Sequence, residues 1–177
     1  MQFGDVKMNK YHWLSIAASY VVGFLIGIGI KTTYELNSTR PYTWDQTPVI
    51  INCYGEEFSE AQMFRAIHYW TIRGHEIGYY EHKPSKEVCN AGHIDGFIIV
   101  RKAKPNALST NTLAATKRRT SFTWIRSAEI LYSPGSYNLA LLNEHELGHA
   151  LGYSHLEIKG HIMHPIYEKM GLGILDI

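Results

Sequence analysis

The chain has 177 residues, 45% of them hydrophobic, which suits one globular domain plus a small extra segment rather than a disordered or fibrous protein. The formal net charge is +1, and setting aside residues 1–30 leaves 15 basic against 15 acidic residues. That neutral remainder argues against nucleic acid or anionic lipid as its main partner.

Residues 1–12 are polar, with Lys7 and Lys10, and read as a cytoplasmic N-terminus. Trp13 to Ile30 follows, 18 residues without a formal charge, closed by Lys31. A helix of that length spans about 27 Å, near the hydrocarbon thickness of a bilayer. The favoured reading of 13–30 is a single-pass transmembrane signal anchor that leaves the folded part outside the cytoplasm. A cleaved signal peptide, giving a secreted product, is the rival, although its apolar core is usually shorter and no small-x-small site follows Ile30 directly. A buried helix is the third reading. Gly23 and Gly27 form a Gly-x-x-x-Gly pattern that can pair membrane helices, or are ordinary glycines of a span. Residues 31–46, polar and containing Pro41, read as a linker, and 47–177 as the folded domain.

Within that domain Pro48 to Cys53 reads as a strand. Ser59 and Gln62 form a capping box, and Met63, Ile67 and Trp70 follow at helical spacing, so a helix runs from Ser59 to near Gly74 with these side chains in the core. Glu76 to Glu81 is a second strand and Gly96 to Arg101 a third, apolar enough to lie centrally. Phe122 to Ile125 and Glu129 to Tyr132 read as two further short strands. Ser136 or Asn138 is expected to cap the next helix. Lys117-Arg118-Arg119 reads as a solvated basic loop, because no aromatic residues interleave as at a nucleic-acid site. Cys53 and Cys89 are the only cysteines, and both a disulfide and two free thiols stay open. His68, His75, His82 and His93 are scattered and read as surface residues.

The densest chemistry lies between Asn143 and Tyr167. His145-Glu146-x-x-His149-x-x-Gly152-x-x-His155 supplies three imidazoles and a carboxylate. Residues four apart share a helix face, so His145 and His149 can aim at one point. Gly152 can take the left-handed turn that ends the helix and returns His155 to that point. Three nitrogens leave one corner of a tetrahedral zinc site open, as catalysis requires. Glu146 can reach a water there as general base. His-Glu-x-x-His alone recurs by chance in roughly 1 to 2 chains per 100 of this length, and the added glycine and histidine lower that by a factor of several hundred, an order-of-magnitude estimate.

This run resembles the metzincin clan of zinc peptidases, and Ile162-Met163-His164-Pro165-Ile166-Tyr167 is similar to its Met-turn. The Met-x-Pro form, with methionine eight residues past the third histidine, is most similar to the matrixin (matrix metalloproteinase) family. The resemblance implies an α/β (α+β) zincin domain with a mixed twisted sheet, a helix before it and an active-site helix. It implies one catalytic zinc ion on His145, His149 and His155; calcium is possible but no ligand set is evident. Met163 would form a hydrophobic floor, Pro165 and Tyr167 the wall of the substrate pocket, and the edge strand near Phe122 to Ile125 would pair with an extended peptide. His164 and His161 are further candidates for touching substrate. The expected activity is zinc-dependent endopeptidase action on a peptide or protein substrate, through a zinc-bound water activated by Glu146. A zinc-bearing binding module or pseudo-enzyme, and a zinc amidase acting on cell-wall peptides, are the alternatives.

Overall fold

The computed structural model of the protein describes residues 40–172. The expected N-terminal 1–12 segment, the 13–30 anchor and most of the 31–46 linker lie outside those residues. Among the described residues no helix is long and apolar enough to cross a membrane.

Six strands form one mixed sheet: β1 Thr43–Trp44, β2 Val49–Cys53, β3 Tyr80–Glu81, β4 Phe97–Lys102, β5 Ala114–Ser121 and β6 Trp124–Tyr132. Their order is β1-β6-β4-β2-β3, with β5 also paired to β6. β5 runs antiparallel to its partner and the other pairs are parallel. Among the described residues three α-helices accompany the sheet: α1 Glu60–Thr71, α2 Lys86–Asn90 and α3 Leu142–Ala150. The expected mixed α/β architecture is therefore present.

The apolar runs explain the middle of the sheet. Ile50 and Ile51 on β2, and Ile98, Ile99 and Val100 on β4, are all buried, so both faces of these strands are covered. On α1, the Ser59 hydroxyl accepts the Gln62 amide at 3.3 Å, the expected cap. Met63, Ala66 and Trp70 then face the core. The helix ends at Thr71, and Gly74 (φ 84°) turns the chain. The two cysteines form a disulfide, Cys53 at the end of β2 to Cys89 on α2, with Cα atoms 5.4 Å apart.

Five expectations differ from the structure. Of residues 76–81 only Tyr80 and Glu81 join the ladder; Gly78 interrupts the alternation, and its amide bonds Pro48 O ahead of β2. The two short strands expected after Phe122 are one strand, β6, which continues through a register shift against β5 at Arg126, whose side chain reaches Asp45 and Asp95. Phe122 itself sits in the hairpin turn at φ 55°. The basic run 117–119 belongs to β5, so β5 rather than Phe122 to Ile125 is the edge beside the active-site helix. Neither Ser136 nor Asn138 caps α3. Its N-cap is Leu141 in a left-handed conformation (φ 65°), while Ser136 donates to Leu113 O and Ser133 O.

Candidate active site and metal centre

α3 carries the first two histidines and is buried along nearly its whole length. α1 holds it from behind: Trp70 Nε1 donates to Glu144 O at 2.7 Å, and Arg65 Nε bonds the buried Glu144 carboxylate at 2.7 Å. Gly148 faces Met163 and Trp70 so closely that a Cβ there would overlap the Met163 sulfur and the indole ring. Met163 is fully buried, directly beneath the helix, where a hydrophobic floor would be. The helix stops at Ala150, and Gly152 turns the chain at φ 110°. The turn returns His155 toward α3, with its Nε2 3.0 Å from that of His149. The ligand-capable atoms of His145, His149 and His155 all lie within 4.8 Å of one another.

The hydrogen bonds set which nitrogen is available. His145 Nδ1 bonds Ile162 O at 2.7 Å and His149 Nδ1 bonds Tyr153 O at 2.9 Å. A carbonyl can only accept, so each Nδ1 carries the proton and each Nε2 of a neutral ring presents a lone pair. Burial favours the neutral rings: it is the main cause that pushes His145 down to about 4 and His149 to about 3, and it lowers His155 as well. Lone pairs converging in a half-buried pocket want a cation, and three imidazoles are a donor set that suits zinc. The residues present therefore fit a zinc ion.

Glu146 is buried beside them. Thr116 of β5 donates its hydroxyl to Glu146 Oε2 at 2.6 Å. Burial pushes the Glu146 carboxyl up to about 7, with the Thr116 bond opposing the shift; a nearby dication would pull it down again. Arg118, two residues along β5, donates to His149 O at 2.7 Å and to Tyr153 O at 3.3 Å.

A cleft of about 830 Å³ opens over these groups. His145, Glu146, His149 and His155 line it with Thr116, and Pro165 and Tyr167 line it too. His164 does not: it is buried, and its Nδ1 accepts the Ile166 amide at 3.0 Å, so it shapes the turn instead of facing substrate. His161 Nδ1 likewise accepts the Met163 amide. His75, expected at the surface, is buried with its Nε2 2.8 Å from the Tyr153 hydroxyl, and burial followed by the Arg40 charge lowers it to about 4. Sequence reasoning missed Thr116 and Arg118. The available signal was their alternation with Lys117 and Arg119, which puts one pair toward α3 and the other toward solvent.

The matrixin family matches residues 23–174. The chain belongs to the matrixin family. With that membership comes zinc metallopeptidase chemistry in general, and the three-histidine group is where this matrixin would hold its ion. No curated protein matches the chain.

Proposed function

We propose that this matrixin is a membrane-anchored zinc endopeptidase working outside the cytoplasm, with Glu146 as its general base. The observation that carries the reading is the convergence of three imidazoles beside the buried Glu146 carboxylate at the floor of an open cleft. Ala114, Ala115 and Thr116 of β5 line the same cleft, which favours an extended peptide added alongside that strand. Pro165 and Tyr167 would then bound the pocket for one substrate side chain.

His145, His149 and His155 would hold the zinc ion. When bound, zinc supplies Lewis-acid chemistry, acidifying water and polarising a carbonyl. The chain's own residues do the rest. Glu146 accepts the proton of the attacking water and hands it to the leaving amine. The Thr116 hydroxyl holds one carboxylate oxygen, which restricts the rotamers of Glu146. The Ile162 and Tyr153 carbonyls keep two imidazoles in their ligand tautomer.

The 18-residue uncharged run before the domain supports the anchor, and the Cys53–Cys89 disulfide fits an oxidising compartment. For the activity, the zinc-loaded protein and Glu146→Ala are incubated with a diverse peptide mixture, and products are read by mass spectrometry. Cleavage by the wild type alone is expected. A folded, zinc-loaded wild type that leaves every peptide intact overturns the peptidase reading. For the anchor, intact cells carrying a C-terminal tag are treated with external protease. The tag is expected to be lost while the protein fractionates with membranes, and a soluble cytoplasmic protein overturns this part.

A further inference from the structure

The stretch 40–44 reads in sequence as the end of a linker, yet Arg40, Tyr42 and Trp44 all contact the end of the active-site helix or the turn that follows it. We propose that Arg40–Trp44 is a positioning strap for the metal centre, holding the turn that delivers His155. The inference rests on the reading of the three histidines as a metal site.

The carbonyls at the end of α3 make the case. An α-helix leaves its last four C=O groups without helical partners. Here Leu147 O accepts the Leu151 amide, Gly148 O the Tyr153 amide and His149 O the Gly152 amide, so the turn satisfies these three itself. Ala150 O and Leu151 O receive no backbone amide among the described residues. Their donors come from the strap: Trp44 Nε1 to Ala150 O at 3.0 Å and Arg40 Nε to Leu151 O at 3.1 Å.

Three more contacts fix the height of the turn. Tyr42 O sits against Gly152 so tightly that a Cβ there would overlap it, so only glycine lets strap and turn meet. The Arg40 guanidinium lies 5.6 Å from the centre of the Tyr153 ring, and Arg118, which holds His149 O, lies 5.4 Å from the Tyr42 ring. The strap is fastened in turn to the sheet. Its Thr43 and Trp44 pair with Trp124 and Ile125 of β6, and Asp45 bonds Arg126. Residues 150–155 are therefore gripped between the strap and β5, and His155 leaves that grip as the third ligand. Groups that orient a metal ligand without touching the ion typically change metal affinity 10- to 100-fold when removed.

The test uses the full chain loaded with cobalt(II), whose visible ligand-field spectrum reports coordination directly. Arg40→Leu keeps the aliphatic stem and removes the donor; Trp44→Phe keeps the ring and removes the N–H. Each is expected to transfer its metal to a chelator about tenfold faster, to alter the ligand-field bands, and to speed amide exchange at 150–155 in the metal-free protein. Arg40→Lys, which retains a donor, should recover part of the loss. Phe58→Leu, whose ring packs on Tyr54, Tyr132 and Tyr137, controls for lost stability and should leave the cobalt spectrum unchanged. Spectra and release rates equal to wild type in both strap variants overturn the strap. So do changes that Phe58→Leu reproduces at the same thermal midpoint. A wild type that takes up no cobalt instead overturns the metal reading itself, and this inference with it.

Discussion

Glu146 and His149 lie three residues apart on one helix, and the proposed function gives them separable jobs. Glu146→Ala leaves three imidazoles in place, so metal content by elemental analysis should stay near that of the wild type, while turnover falls by roughly 10²- to 10⁴-fold. A variant cleaving at the wild-type rate would remove Glu146 as the base. His149→Ala should instead lose the metal, and unchanged zinc content would count against its role as ligand. Gly148 tests the floor beneath them. An alanine methyl there has to enter the space of Met163 and Trp70, so Gly148→Ala should cost about 1–3 kcal/mol in denaturant unfolding. Glu146, His149 and Met163 could be singled out from spacing. For Thr116 the alternation with Lys117 and Arg119 marks only a strand face; that this face meets Glu146, 30 positions away, is set by how two elements pack.

At the scale of elements, local rules worked where the element makes its own termini. Ser59 caps α1 through its hydroxyl, and Ser59→Ala should lower stability by about 1 kcal/mol, read as a shifted urea midpoint at unchanged slope. They failed where a neighbour supplies what the chain lacks. α3 begins without a side-chain cap, held by α1 through Glu144 and by Asn143 Nδ2 to Tyr137 O. β5 looked like a solvated loop because Lys117-Arg118-Arg119 is strongly charged. In the sheet the charge divides by face, with Lys117 and Arg119 exposed and Arg118 half-buried against the carbonyls of α3. The single strand β6 looked like two for a similar reason, since Arg126, at the register shift against β5, finds two carboxylates.

For the molecule as a whole, the disulfide is the one covalent brace among the described residues. α2 buries none of its side chains, so packing contributes little to holding it. The Cys53–Cys89 bond closes a separation of 36 residues, worth roughly 3–4 kcal/mol on the chain-entropy account. Reductant should therefore lower the unfolding free energy by that amount, read as a lower urea midpoint. Amide exchange should accelerate first around 83–95 and leave α3 protected; a midpoint unchanged by full reduction would show that the brace adds nothing. Its formation was open in the sequence because two cysteines say nothing about their distance. β2 and α2 settle it by bringing the Cα atoms to 5.4 Å.

Spacing along the chain by itself determined the candidate metal ligands, the candidate base, the turn glycine and the buried methionine, and through them the matrixin family. Those relations are local: helical periodicity and one tight turn hold within about 20 residues, so they survive without knowledge of the rest. The apolar run of β4 likewise announced the middle of the sheet. Only the tertiary structure decided which groups stand around that local core. The hydroxyl on Glu146 comes from a strand 30 residues earlier, and the donors for the end of α3 come from more than 100 residues earlier. Such partners depend on how the sheet and helices pack. A buried carbonyl needs some donor, and the choice among the many that the sequence offers is made by geometry.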